Sequence, residues 1–238
     1  MRYSGNLSAH GDEGGNFVEA EARARLRAAR MAADLGVREL SRRVGISASM
    51  LSQIENGRTE PSVATLYSLV SALSISLDEL LDVGKAGNAP KDGGSLSPVV
   101  SSADRAVLVM DSGVKWERLT AGVDPLVDAL LVTYPPGSGS SANGGLMSHS
   151  GREYAYLMSG RLTVHIGFEK FVLEPGSSVS FDSSVPHSYV NEGAEEACGL
   201  WHVVGRNSSI LRELDGPVSD WTSSESSDEE RGKRAPAS

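Results

Sequence analysis

With 238 residues, the chain is long enough for two ordinary domains, each with a core of its own. Its 31 acidic against 22 basic side chains leave a formal net charge of -9, which excludes a uniformly basic nucleic-acid coat but not a local basic face. A single cysteine, Cys198, excludes an intrachain disulfide; no apolar run approaches the roughly 20 residues that span a bilayer, and Met1–Asn6 opens no hydrophobic signal core, so a cytoplasmic protein with no membrane partner is expected.

Residues 1–18 are rich in Gly and polar side chains and are expected to be a disordered tail. The first predicted helix runs from Glu19 to Asp34, with Leu26 and Met31 packing inward, four arginines on its flanks and Gly36 ending it. The stretch from Gly36 to Gly57 predicts two short helices joined by a tight turn. Leu40 and Val44 lie one turn apart and share an apolar face, Gly45 permits a sharp reversal, Ile46 plugs the core, and Ser47 can cap the next helix through its hydroxyl. On that second helix Leu51 and Ile54 face inward, while Ala48, Ser49, Ser52 and Gln53 point outward. This outward face is small, polar and uncharged, where a merely solvated face would carry Lys and Glu. A helix that enters a DNA major groove needs such short side chains for close approach, and amide and hydroxyl groups to read base edges. From Glu21 to Arg58 there are eight arginines against four acids, whereas Asp104 to Leu214 carries eight basic residues against thirteen acidic ones. The charge is split by region, as expected if only the first domain meets phosphate.

The Gly36–Gly57 stretch resembles the helix-turn-helix of the Xre-type, phage-repressor-like DNA-binding family, and the likeness continues through Arg58, Pro61, Ser62, Thr65, Leu66 and the ending Leu73–Leu81. The resemblance implies an all-α helix-turn-helix bundle over residues 19–82 that binds a double-stranded DNA operator. It places Ala48, Ser49, Ser52 and Gln53 near bases and Asn56 and Arg58 near phosphates, with Arg38 as a further DNA-contact candidate. Many relatives carry Gln at the position of Val37, and Val37 cannot make that amide contact.

Residues 83–103, which include the run Gly84–Pro98, read as a flexible linker by content. Residues 104–214 then hold short β-type runs separated by Gly, Pro and Ser: Ala106–Met110, Leu130–Tyr134, Tyr154–Met158, Leu162–Ile166 and Gly199–Val204, with turns at Pro135–Gly137 and Glu174–Gly176. Spacing of this kind predicts an antiparallel sandwich or barrel. Residues 215–238 are Ser-rich and acidic and are expected to be a second disordered tail.

Two segments of the β region carry chemistry. His149, Glu153 and Gly160 follow Met147 at fixed offsets, and His187 is followed four residues later by Asn191. In spacing these resemble the two motifs of the cupin family, a double-stranded β-helix or jelly roll. The fold expected is therefore α+β and multidomain, a helical bundle followed by an all-β cupin. In a full cupin the position of Met147 is a further histidine, and a thioether is a poor ligand for hard divalent metals. His149, Glu153 and His187 remain, two imidazoles and a carboxylate, the facial set of mononuclear non-heme iron sites. The resemblance implies one divalent ion (iron, nickel or zinc), or else an organic ligand or a site satisfied by its own hydrogen bonds. Met147, Phe181 and Trp201 are the candidate pocket residues; His165 and His202 fall at no motif position and suit surface or core roles.

Two functions are consistent with this pattern. One is a dimeric transcriptional regulator whose cupin senses a small-molecule effector or a metal, as in bacterial regulators that join an Xre-type domain to a carboxy-terminal cupin. The other is an iron-dependent cupin oxygenase or epoxidase with a helical assembly domain, for which Arg152 and Arg161 are the nearest cations to an anionic substrate. The small polar face of the second helix has no purpose in an oxidase and favours regulation.

Overall fold

The computed structural model describes residues 13–81 and 98–205, apart from 123, 125, 142 and 143, with the backbone alone described for residues 13–19 and 78. The expected carboxy-terminal tail, residues 1–12 of the amino-terminal one and most of the expected linker lie outside the described residues. Among the described residues five helices come first: α1 (Glu13–Ala32), α2 (Val37–Val44), α3 (Ala48–Glu55), α4 (Val63–Leu73) and α5 (Leu77–Leu81). A 3-10 turn at Ser102–Asp104 leads into nine strands: β1 (Val107–Val109), β2 (Lys115–Arg118), β3 (Val127–Tyr134), β4 (Arg152–Ser159), β5 (Leu162–Ile166), β6 (Glu169–Leu173), β7 (Ser178–Asp182), β8 (His187–Val190) and β9 (Ala197–Val204).

The first helix differs from the expectation in three ways. It begins at Glu13, six residues earlier than Glu19. It is closed by Asp34 in the left-handed conformation (φ 54°), with Leu35 N–H bonding back to the Arg30 carbonyl, so Gly36 is not its terminator. Gly36 has an extended φ of -71° and is the N-cap residue of α2. Met31 is exposed, because the buried stripe of α1 runs through Ala22, Leu26 and Arg30, and Met31 lies a full 100° around the helix from Arg30. Arg30 is therefore not a flanking charge: its guanidinium makes a two-pronged bond to Glu55 of α3 (2.6 and 2.9 Å) and a third bond to the Leu35 carbonyl (2.8 Å).

The α2–α3 turn forms as its sequence requires. Gly45 sits at φ 73°, where a Cβ would be strained, and its N–H bonds the Ser41 carbonyl. The Ser47 hydroxyl accepts from Met50 N–H (3.0 Å), capping α3, and Ser62 does the same for α4 through Thr65 N–H (3.2 Å). Ser76 and Glu79 form a reciprocal capping box at the start of α5, with bonds of 2.7 and 2.8 Å. Leu40, Leu51, Ile54, Leu66, Leu69 and Val70 fill the helical core.

The strands form two antiparallel sheets, one of six strands in the order β1-β2-β3-β9-β4-β7 and one of three in the order β6-β5-β8. This is the antiparallel sandwich expected from the strand spacing, and the jelly roll that the cupin resemblance implies. On β4 the burial alternates strictly, so Glu153, Ala155 and Leu157 point into the barrel while Tyr154 and Tyr156 point out. Gly160 follows at φ 74° with the Glu196 carbonyl and Ala197 backbone packed where a Cβ would stand, which leaves room only for glycine. Among the described residues no helix is long and apolar enough to cross a membrane.

Helix α4 joins the two halves directly. Ala64 N–H donates to the Ser140 carbonyl (2.9 Å), and Asp111 N–H donates to the Pro61 carbonyl (3.1 Å). Val63 and Tyr67, on the same side of α4, are buried against the barrel, and α1 runs beside β1.

Candidate functional site

The second helix of the hairpin, α3, presents Ser49 and Gln53 to solvent, with Ala48 and Ser52 half-buried beside them. Arg38 on α2 and Arg58 just past α3 are exposed on the same domain. Asn56 is also exposed, but its amide is used locally, donating to the Ser52 carbonyl (2.7 Å) and hydroxyl (3.3 Å) as α3 ends. Arg42 and Arg43 are tied to Glu39 (2.9 and 3.0 Å), so part of the basic count is neutralised on the surface. Val37 is half-buried and packs on the core, the use a β-branched side chain has where relatives place an amide.

Inside the barrel the fold brings His149, Glu153 and His187 together, from the loop before β4, from β4 itself and from the start of β8. Glu153 belongs to one sheet and His187 to the other, so the three meet only once the sandwich closes. Glu153 Oε2 lies 3.3 Å from His149 Nε2 and 3.4 Å from His187 Nε2, and all three side chains are buried. The distances suit ion pairs, yet the angles make no hydrogen bond, and all three atoms lack a hydrogen-bond partner.

The opposite atom of each group is held. His187 Nδ1 faces the Val185 carbonyl (2.8 Å) and His149 Nδ1 the Ser150 carbonyl (3.2 Å); a carbonyl can only accept, so each Nδ1 carries the proton. Glu153 Oε1 accepts from the Tyr189 hydroxyl (2.6 Å). Second partners thus aim two imidazole lone pairs and one carboxylate oxygen at a common point, as they do around protein-bound metals. Ligands at right angles on an ion with bonds of about 2.1 Å stand about 3.0 Å apart, close to the spacing seen here. The donor set therefore fits a divalent cation. Burial pushes the Glu153 carboxyl up, but His149 and His187, where a ring turns an Nε2 proton toward it, and the Tyr189 hydroxyl outweigh it and hold it down at about 2.

A pocket reaches Glu153, walled by Met147, Trp116, Tyr134, Tyr189 and Trp201 of the barrel and by Val63 and Tyr67 of α4. Met147 and Trp201 therefore line it, and Met147 pairs with His187 through two backbone bonds of 2.8 Å. Phe181 packs edge-on against the His187 ring at 4.9 Å and is not part of the pocket wall. His165 and His202 are half-buried, and Arg152 and Arg161 are exposed; none of the four lines the pocket. Asn191 is wholly buried and structural, its amide bonding the Tyr134 and Glu195 carbonyls (both 2.8 Å).

Sequence reasoning missed Tyr189 and Tyr67. Tyr189 was within reach, since it lies two residues beyond His187 on one strand and so on the same face. Tyr67 had no local signal, because it comes from the other domain. Its ring stacks on His149 with centroids 4.3 Å apart and planes 10° from parallel, and meets Trp116 edge-on at 5.3 Å.

Comparison with known proteins agrees with this division. The family model described as Helix-turn-helix matches residues 26–80, and that described as Cupin domain matches residues 130–203. The HTH-type transcriptional regulator PuuR of Escherichia coli (strain K12) is 25% identical over 171 residues, covering 71% of this chain and 87% of its own length. A helix-turn-helix family transcriptional regulator from Vibrio cholerae, solved by crystallography, matches 80% of this chain and 98% of its own at 22% identity and a TM-score of 0.54, a likeness of fold. The hydroxypropylphosphonic acid epoxidase from S. wedmorenis matches 78% of this chain and 97% of its own at 20% identity, with a TM-score of 0.38. That superposition is too loose to bear on activity.

Proposed function

We infer that this chain, a helix-turn-helix domain joined to a cupin domain, is a sequence-specific DNA-binding transcriptional regulator whose cupin senses a small molecule or a metal. The observation that carries this reading is the uncovered face of α3: Ser49 and Gln53 are exposed, while the contacts with the barrel are made by α4 and α1. The reading helix is free to enter a major groove with the barrel in place. The 25% identity to an HTH-type transcriptional regulator, extending over both domains, supports the same conclusion.

In this reading Ser49, Ser52 and Gln53 meet base edges, with Ala48 allowing close approach; Arg38 and Arg58 meet phosphate, and Asn56 fixes the end of α3. The functional domains are the helical one, over about 19–82, and the cupin, over about 104–214. One helix-turn-helix offers few base contacts, so two copies act together on half-sites about 34 Å apart or a multiple of it. Tyr154, Tyr156 and Met158 form a nearly half-exposed apolar row on the outer face of β4, which suits pairing of two barrels. His149, Glu153 and His187 would hold the ion, and Met147 and Trp201 would contact an effector. A bound divalent cation (iron, nickel or zinc) supplies a Lewis-acidic anchor for an oxygen of that effector. The setting for such a protein is the cytoplasm.

The test is a selection of bound fragments from random duplex DNA with the full-length protein. Enrichment of an inverted repeat is expected; recovery of unenriched DNA would sink the regulator. A second reading, an iron-dependent cupin oxidoreductase, is favoured by the facial arrangement of the triad. Failure of the protein to take up ferrous iron under anaerobic conditions would remove it.

A further inference from the structure

We propose that the DNA-binding domain is itself the lid of the cupin site, with Tyr67 as the residue that seals it. Such a lid rests on the proposed sensor function and regulates that same site.

Four observations meet at α4. Tyr67 lies flat on His149, so a residue of the helical domain touches a residue of the triad. Val63 and Tyr67 are both buried at the mouth of the pocket and form part of its wall. The start of α4 is tied to the barrel by the Ala64–Ser140 and Pro61–Asp111 backbone bonds. The triad beneath is sealed, with the side chains of His149 and His187 fully buried.

The size of the pocket then decides what it can hold. Its free volume is about 10 Å3, room for one water molecule or one ion. Sites for organic ligands are larger, about 300–1,000 Å3. With α4 seated, an ion fits beside Glu153 and an organic effector does not. An effector must displace Tyr67, and Tyr67 moves with the helix that follows the reading helix. Filling the pocket and seating the helical domain on this barrel exclude each other. An effector therefore shifts the population by binding the unseated arrangement alone, and in a dimer this changes the separation of the two reading helices. No signal has to pass along the segment that joins the domains, because the domain being moved forms one wall of the site.

The experiment uses full-length, metal-stripped protein and diethyl pyrocarbonate, which acylates accessible imidazoles, with each histidine followed by mass spectrometry. His149 and His187 should react slowly in the wild type and in Tyr67→Phe, and at least about tenfold faster in Tyr67→Ala, a change of about 1.4 kcal/mol in the opening equilibrium. The half-buried His165 and His202 serve as internal references and should react alike in all three, which also reports that the barrel is folded. An unchanged His149 rate in folded Tyr67→Ala would overturn the lid. Should Tyr67→Ala fail to fold, the wild type decides alone. Opening of the lid must free the Ala64 and Asp111 amides together with His149, so hydrogen exchange at those amides and acylation of His149 should give the same opening free energy. Amides that exchange far more readily than His149 reacts would place the seal elsewhere. Adding Co2+ separates the outcomes further. Co2+ should slow acylation of His149 and His187; no slowing, with the acceleration in Tyr67→Ala retained, removes the metal and keeps the lid, and absence of an enriched repeat in the DNA selection removes the regulator and keeps the lid.

Discussion

Gln53 and Arg58 are both exposed, and the proposed regulator gives them different tasks. A primary amide offers a donor and an acceptor matched to the adenine edge, so Gln53→Ala should relax preference at one base position at a cost of about 1–3 kcal/mol. A guanidinium facing phosphate reads no sequence, so Arg58→Ala should weaken binding on all sequences and lower its salt dependence by about one charge. Titration of selected and scrambled duplexes at two salt concentrations distinguishes them, and equal weakening by both variants would contradict a reading role for Gln53. In the barrel, Glu153 is the sole carboxylate among the three candidate ligands and is held ionised. Glu153→Gln keeps the shape and the bond from Tyr189 but removes the charge. Co2+ affinity measured by calorimetry should fall at least about a hundredfold, and an unchanged affinity would place the ion elsewhere.

Among the elements, the hairpin of α2 and α3 was legible because each of its rules is local: a left-handed glycine, a serine cap, and apolar residues one turn apart. The α1 helix was less so. Its apolar residues are sparse, and the pattern that put Met31 inward overlooked an arginine as a core residue. Arg30 is buried because Glu55 arrives from α3 to meet it, with side chains 10% and 4% exposed. That pair joins the first and third helices. Glu55→Ala leaves a buried guanidinium without its counter-charge and should cost about 3–5 kcal/mol, seen as a lower denaturation midpoint of the full chain. A loss below about 0.5 kcal/mol, as for an exposed pair, would show that the link is not structural.

At the scale of the whole molecule, the proposed regulator needs two copies and two domains to act together. The apolar row on β4 projects away from the barrel interior, and α4 occupies the mouth, so pairing of barrels and seating of the helical domain use different surfaces. Tyr156→Glu places a charge in the middle of that row without entering the core. It should convert a dimer to a monomer in sedimentation equilibrium and reduce cooperative binding to an inverted repeat. A dimer that persists in Tyr156→Glu would move the interface to another face.

The sequence by itself determined the two folds, the α2–α3 hairpin and the three residues that the barrel brings together. Caps, turns and alternation act over a few residues, and the ligand spacing around His149, Glu153 and His187 is written into two short segments. It did not determine what surrounds the triad. The tyrosine that supports Glu153 follows from strand parity once β8 is known, and the aromatic wall follows once the sheets close. The seal on the site could be learned only from the tertiary structure. Tyr67 lies more than eighty residues from His149 in the chain, on a helix whose own pattern is satisfied by its domain, and only the docking of that domain on the barrel brings the two rings to 4.3 Å.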